Sequence, residues 1–215
     1  MAILAVPISG PYCPDDCIQY PYLDSLSNFP LDYIWMVPAI IQLIIVALFM
    51  ISLYFIAPYV KKIYGFISVF FAFIAINILL ADYFIQFTVI PISLMNGETE
   101  GLALITQYNE HGIFIALEEL GYLIMACSLL SMALIFNRDQ ALDRFMRWLL
   151  IASFILTFIF LVYYSVRYGV DRSYRFEVVA ITINWLTFII IGILANVFFK
   201  RMMKQRHLSM QSYRP

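Results

Sequence analysis

From Met1 to Val60 the chain contains no lysine and no arginine, and over its whole length charged residues make up only 13%. A net charge of −1 carries no message about nucleic acid, and no nucleic-acid partner is expected. Hydrophobic residues make up 63% of 215 positions, more apolar surface than a chain of this size can hide from water. A soluble globular domain is thereby excluded. Histidine occurs only at His111 and His207, and cysteine only at Cys13, Cys17 and Cys127. That is too few for a zinc module or a disulfide scaffold. Metalloprotease H-E-x-x-H, the G-x-S-x-G nucleophile elbow and a phosphate-binding glycine loop are all missing.

What the chain does have is long apolar runs: Tyr33–Ala57, Tyr64–Leu94, Ile113–Phe136, Phe145–Val166 and Val178–Phe199. Each reaches the roughly 20 residues that a helix needs to cross the hydrocarbon core of a bilayer. The expected fold is therefore all-α, a polytopic membrane bundle of five transmembrane helices. Residues 1–32, rich in Pro, Tyr, Asp and Ser, are expected to form an irregular extracytoplasmic cap. Residues 33–199 form the transmembrane domain and 200–215 a basic cytoplasmic tail, suited to anionic lipid. Met1–Gly10 lacks a basic n-region and is broken by Pro7 and Gly10, so the segment is expected to stay on the mature chain.

Basic residues set the expected orientation. Lys61 and Lys62 lie in the first connector, Arg138, Arg144 and Arg147 in the third, and Lys200, Arg201, Lys204, Arg206 and Arg214 in the tail. The N-terminal segment and the second connector carry acidic residues instead, among them Asp24, Asp32, Glu98 and Glu110. The N-terminus is expected outside and the C-terminus in the cytoplasm. Arg167, Arg172 and Arg175 in the fourth connector run against this pattern.

Ionisable groups within membrane helices are costly and mark functional candidates. Asp82, Glu118 and Glu119 all fall at about 9–15 Å below the outer surface at the helical rise. Gln86 lies one turn from Asp82 on the same face, and Tyr122 one turn from Glu118. Tyr164, Arg167 and Asn184 sit at a similar level on the remaining helices. Together these eight residues define a candidate ligand-binding pocket in the outer leaflet, with Arg167 balancing the carboxylates. A buried hydrogen-bond network that only fixes helix packing remains the alternative. His111 precedes Glu118 by seven residues and with Asp82 offers a sparse metal-ligand set, but neither metal nor cofactor is expected. Cys13 and Cys17, as C-P-D-D-C, read as a structural disulfide or two idle thiols.

The stretch N-E-H-G-I-F-I-A-L-E-E-L-G-Y-L-I-M-A, Asn109–Ala126, resembles a segment of small multi-pass membrane proteins of prokaryotes that lack an assigned function. The resemblance covers about one helix and implies an address in a prokaryotic plasma membrane. Glu118, Glu119, Asn184 and Trp185 also resemble the acidic and Asn/Trp pocket residues of membrane-embedded sterol isomerases of the emopamil-binding type. The leading expectation is a protein that binds a small amphipathic molecule, a lipid or a cation. A membrane-embedded acid/base enzyme acting on a lipid-soluble substrate and a structural or assembly subunit without ligand are the alternatives. The sequence leaves the oligomeric state open.

Overall fold

The computed structural model describes residues 13, 17–137 and 140–212. Every regular element among them is helical: α1 (Met36–Ile56), α2 (Lys62–Thr88), α3 (Ile90–Met95), α4 (Leu102–Ile105), α5 (Ile113–Ala133), α6 (Ala141–Tyr168) and α7 (Arg175–Ser212). Five segments are long and apolar enough to cross a bilayer: Leu31–Ile56, Tyr59–Met95, Ile113–Ala133, Ala141–Tyr168 and Arg175–Lys204.

Two boundaries depart furthest from the sequence reading. The second run does not form one helix as far as Leu94. It breaks at Val89, and α3 begins with Pro91 in its first turn. Proline lacks the backbone donor and its ring crowds the carbonyl four residues back, so α2 ends there. The fifth helix does not stop at Phe199 but continues through Lys200–Lys204 to Ser212. Lys, Arg, Met and Gln are strong helix formers, so nothing local ends it.

Much of the expected N-terminal cap, residues 1–12 and 14–16, lies outside the described residues, as do Arg138, Asp139 and Arg214. Cys13 and Cys17 are joined by a disulfide, their Cα atoms 5.9 Å apart. Beyond them the chain makes short 3-10 turns at Leu23–Asn28 and Leu31–Tyr33. Tyr33 is buried with its ring against Phe87 and Tyr108. This is the cap end of the bundle.

At the opposite, basic end, cations close the α5 C-terminus, where backbone carbonyls have no helical partner. Lys61 Nζ donates to the Ile135 and Phe136 carbonyls and to Asn137 Oδ1, and Arg147 Nη1 donates to the Phe136 carbonyl. Arg201 pairs with Asp143, fastening α7 to α6.

Helix α5 is the centre of the bundle. In its most apolar window 56% of residues are buried, against 17–33% in the other four spans. It packs on α2, α6 and α7, while α1 packs on α2. The α2–α5 contact is close because the facing residues are small. A Cβ on Gly121 would lie 2.6 Å from Leu79 Cγ. Near the basic end Ser128 Oγ donates to the Ser68 carbonyl at 2.7 Å. Small residues and short polar bonds of this kind are how membrane helices associate, since lipid is as apolar as the side chains. The bundle's sides are covered by exposed Ile, Leu, Val and Phe, among them Ile44, Phe55, Phe70, Ile159, Leu186 and Ile193.

Candidate functional site: a buried carboxyl cluster

Toward the cap end, three helices bring acidic side chains into one region. Helix α2 supplies Asp82, α5 supplies Glu118 and Glu119, and α7 supplies Glu177 from its first turn. All four are buried, Glu118 completely. The Glu118 and Glu177 carboxyls adjoin, and Asp82 and Glu119 are within electrostatic reach of the pair.

A hydrogen-bonded chain ends on Glu118. Tyr83 donates to Glu118 Oε1 at 2.6 Å. The Tyr83 and Tyr122 hydroxyls are 3.1 Å apart, and since the Tyr83 proton is committed to Glu118, Tyr122 is the donor between them. Trp185 Nε1 donates to the Tyr122 hydroxyl at 3.1 Å. Every proton in the chain therefore points toward Glu118, an order in which each bond polarises the next. Trp35 and Phe114 pack on the Tyr83 ring, with centroids 5.5 and 6.2 Å away.

The counter-charge is Arg172, not Arg167. Arg172 reaches from the α6–α7 connector to Glu119 and also donates to Ser165 Oγ at 3.2 Å. Arg167 is exposed and lies over the Tyr168 ring. The reason is geometric. Gly169 closes α6 with a positive φ of 61°, turning the chain so that Arg172 rather than the last-turn arginine faces the bundle. Ser173 follows at φ 54° and donates to Glu110, which fixes the connector to the segment before α5.

The remaining candidates take other places. Gln86 is fully buried, but its amide spans the loop backbone: Nε2 donates to the Ile105 carbonyl at 2.6 Å and Oε1 accepts from Gln107 N at 3.0 Å. Tyr164 stacks between Phe160 and Tyr168 on α6. Asn184 is fully buried, and its Nδ2 donates to the Ala180 carbonyl on its own helix. His111 does not share a face with Glu118. Helix α5 starts only at Ile113, behind the N-cap Gly112, and the imidazole is largely exposed, 3.5 Å from Glu110. Among the described residues no group of three or more His, Cys, Asp and Glu is placed to hold a metal ion. Asn109 folds the loop back, accepting from His111 N and donating to the Ala103 carbonyl. Beside it Tyr108 donates to Asp32 at 3.0 Å. Burial first, then the neighbouring Tyr33 and Asp32, push its phenol far above the usual value and keep it a donor.

Sequence reasoning missed Glu177 and Tyr83. Glu177 stands one residue before the apolar run that begins at Val178, which places it in the connector by sequence alone. Its spacing of seven from Asn184, which places both on one helical face, was the available signal. Tyr83 carried no signal beyond adjacency to Asp82.

Four buried carboxyl and amide oxygens on α2, α5 and α7 have no donor among the described residues: Asp82 Oδ2, Glu118 Oε2, Glu119 Oε1 and Asn184 Oδ1. A buried acceptor without a donor is expensive, the more so in a low dielectric. Comparison with protein-family models, curated proteins and solved structures gives no match to this chain.

Proposed function

We propose that the protein is an integral membrane protein that binds a small cationic ligand, the ammonium headgroup of an amphipathic molecule, at the carboxyl cluster. The four donor-less acceptors carry this reading. An ammonium group brings both the positive charge and the N–H donors that Asp82, Glu118, Glu119 and Asn184 lack. The aromatic rings of Trp35, Tyr83, Phe114 and Trp185 at the cluster suit such a cation and the alkyl part of its molecule. In this reading Gln86 and Tyr164 are supporting residues, and Arg172 offsets one carboxylate.

The proposed orientation has the N-terminus outside and the C-terminus in the cytoplasm, supported by the cations at Lys61, Lys62, Arg144, Arg147, Lys200 and Arg201 gathered at one end. The cluster then lies in the outer leaflet of a prokaryotic plasma membrane, the last point resting on the resemblance of Asn109–Ala126.

Titration in lipid nanodiscs tests the site. Trp185 is hydrogen-bonded into the cluster and Trp35 packs on the Tyr83 ring, so the combined emission of these two in a Trp148→Phe background is the readout. Octylamine should give a saturable change and octanol, of like size without the charge, none. The Glu118→Gln/Glu177→Gln protein should lose the response, because the amides keep the shape and remove the charge. Equal responses to amine and alcohol, or an undiminished response in the double variant, overturn the proposal.

A further inference from the structure

One polar side chain faces away from the bundle at mid-membrane depth. Asn77 is exposed on α2, about 22 Å along the helix from Lys62 and about 16 Å before Thr88 at the helical rise. So short a side chain cannot reach either headgroup region. The stripe around it is otherwise apolar: Phe66, Phe70 and Phe73 on one side, Ala81 and Phe84 on the other, all exposed.

Exposed hydroxyls on these helices have a local solution. Ser52, Thr88 and Thr182 each donate their single proton to the carbonyl four residues back. Asn77 does the same with one N–H, to the Phe73 carbonyl at 2.7 Å. An amide still has a second N–H and a carbonyl oxygen. Neither has a partner among the described residues. Asn196 is also exposed, on α7, but lies one turn from Lys200, where headgroup water is within reach.

We infer that α2 is a homodimer interface, with Asn77 paired to Asn77 of a second copy across a twofold axis. An amide is its own complement: N–H of each copy meets C=O of the other, and both bonds form together only under that symmetry. Ala81, one turn along the same face, leaves room for the backbones to approach at this level. The phenylalanines above and below then pack between the helices. An unrelated partner would have to place its own polar group at this one depth, a requirement that a second copy meets automatically. The inference needs the five helices to lie in a bilayer and is independent of the carboxyl cluster.

Cysteine cross-linking and a dimerisation measurement on the full chain in bilayers test it. In a Cys127→Ser background, oxidation should link Phe73→Cys copies and Ala81→Cys copies into one homodimer band and leave Ile159→Cys on α6 unlinked. Asn77→Leu should weaken association about tenfold, the worth of an interhelical amide pair, while Asn77→Gln retains the dimer. Asn77 is exposed, so neither change should alter the monomer's thermal unfolding. A monomer at high protein-to-lipid ratio, an undiminished dimer in Asn77→Leu, linkage through α6, or linkage to another polypeptide each overturns the inference.

Discussion

Glu119 is buried, and its only ionic partner among the described residues, Arg172, sits in a connector rather than on a helix. Removing that partner leaves a carboxylate in low dielectric with no compensation, which costs far more than losing a surface ion pair. Arg172→Gln is therefore expected to destabilise the folded protein by about 1–3 kcal/mol, the arginine being partly exposed. Arg167→Gln, at the exposed position over Tyr168, is expected to change stability by less than about 0.5 kcal/mol. Thermal unfolding of both variants in one lipid composition checks this. A larger loss from Arg167→Gln would return the counter-charge to the end of α6. The two arginines are five residues apart, and only the turn at Gly169 separates their roles.

At the scale of elements, contact between α2 and α5 positions the cluster, because it sets Tyr83 against Glu118. Gly121 lies one residue before Tyr122 and faces Leu79 so closely that an added methyl group must displace the leucine. Gly121→Ala should cost about 1–3 kcal/mol, as overpacked cores do, and should disturb the Tyr83–Glu118 bond by pushing the helices apart. Combining it with Leu79→Ala should recover part of the loss. A double-mutant cycle read by thermal unfolding gives the coupling, and additivity within about 0.5 kcal/mol would show that the helices do not meet there as described. The same contact explains why α5 tolerates so many polar residues. Its Ser128 and Glu118 face α2, where Ser68 and Tyr83 answer them.

For the whole molecule, the two ends differ in chemistry. One has Asp32 and Glu110 tied to tyrosine and serine. The other has Lys61, Arg147 and Arg201 tied to carbonyls just past α5 and to Asp143. In the proposed orientation, an impermeant thiol reagent should reach Glu98→Cys from outside intact cells and Gln140→Cys only after permeabilisation, in a Cys127→Ser background. The reverse labelling would place the carboxyl cluster in the cytoplasmic leaflet.

The amino-acid pattern alone settles the class of fold. Five apolar runs near 20 residues have one low-energy solution in lipid, a helix that satisfies its own backbone. It also singled out Asp82, Glu118 and Glu119, because an ionisable residue inside such a run stands out against its neighbours. Their partners are set by how the helices pack. The turn at Gly169 chooses Arg172 over Arg167. The true start of α7 at Arg175 brings Glu177 to Glu118. Packing of α2 on α5 turns Tyr83, an ordinary aromatic in an apolar run, into the donor that ends on a buried acid. Depth follows from counting residues along one helix, whereas partnership depends on the rotation and spacing of several helices at once, which hydrophobic periodicity does not encode.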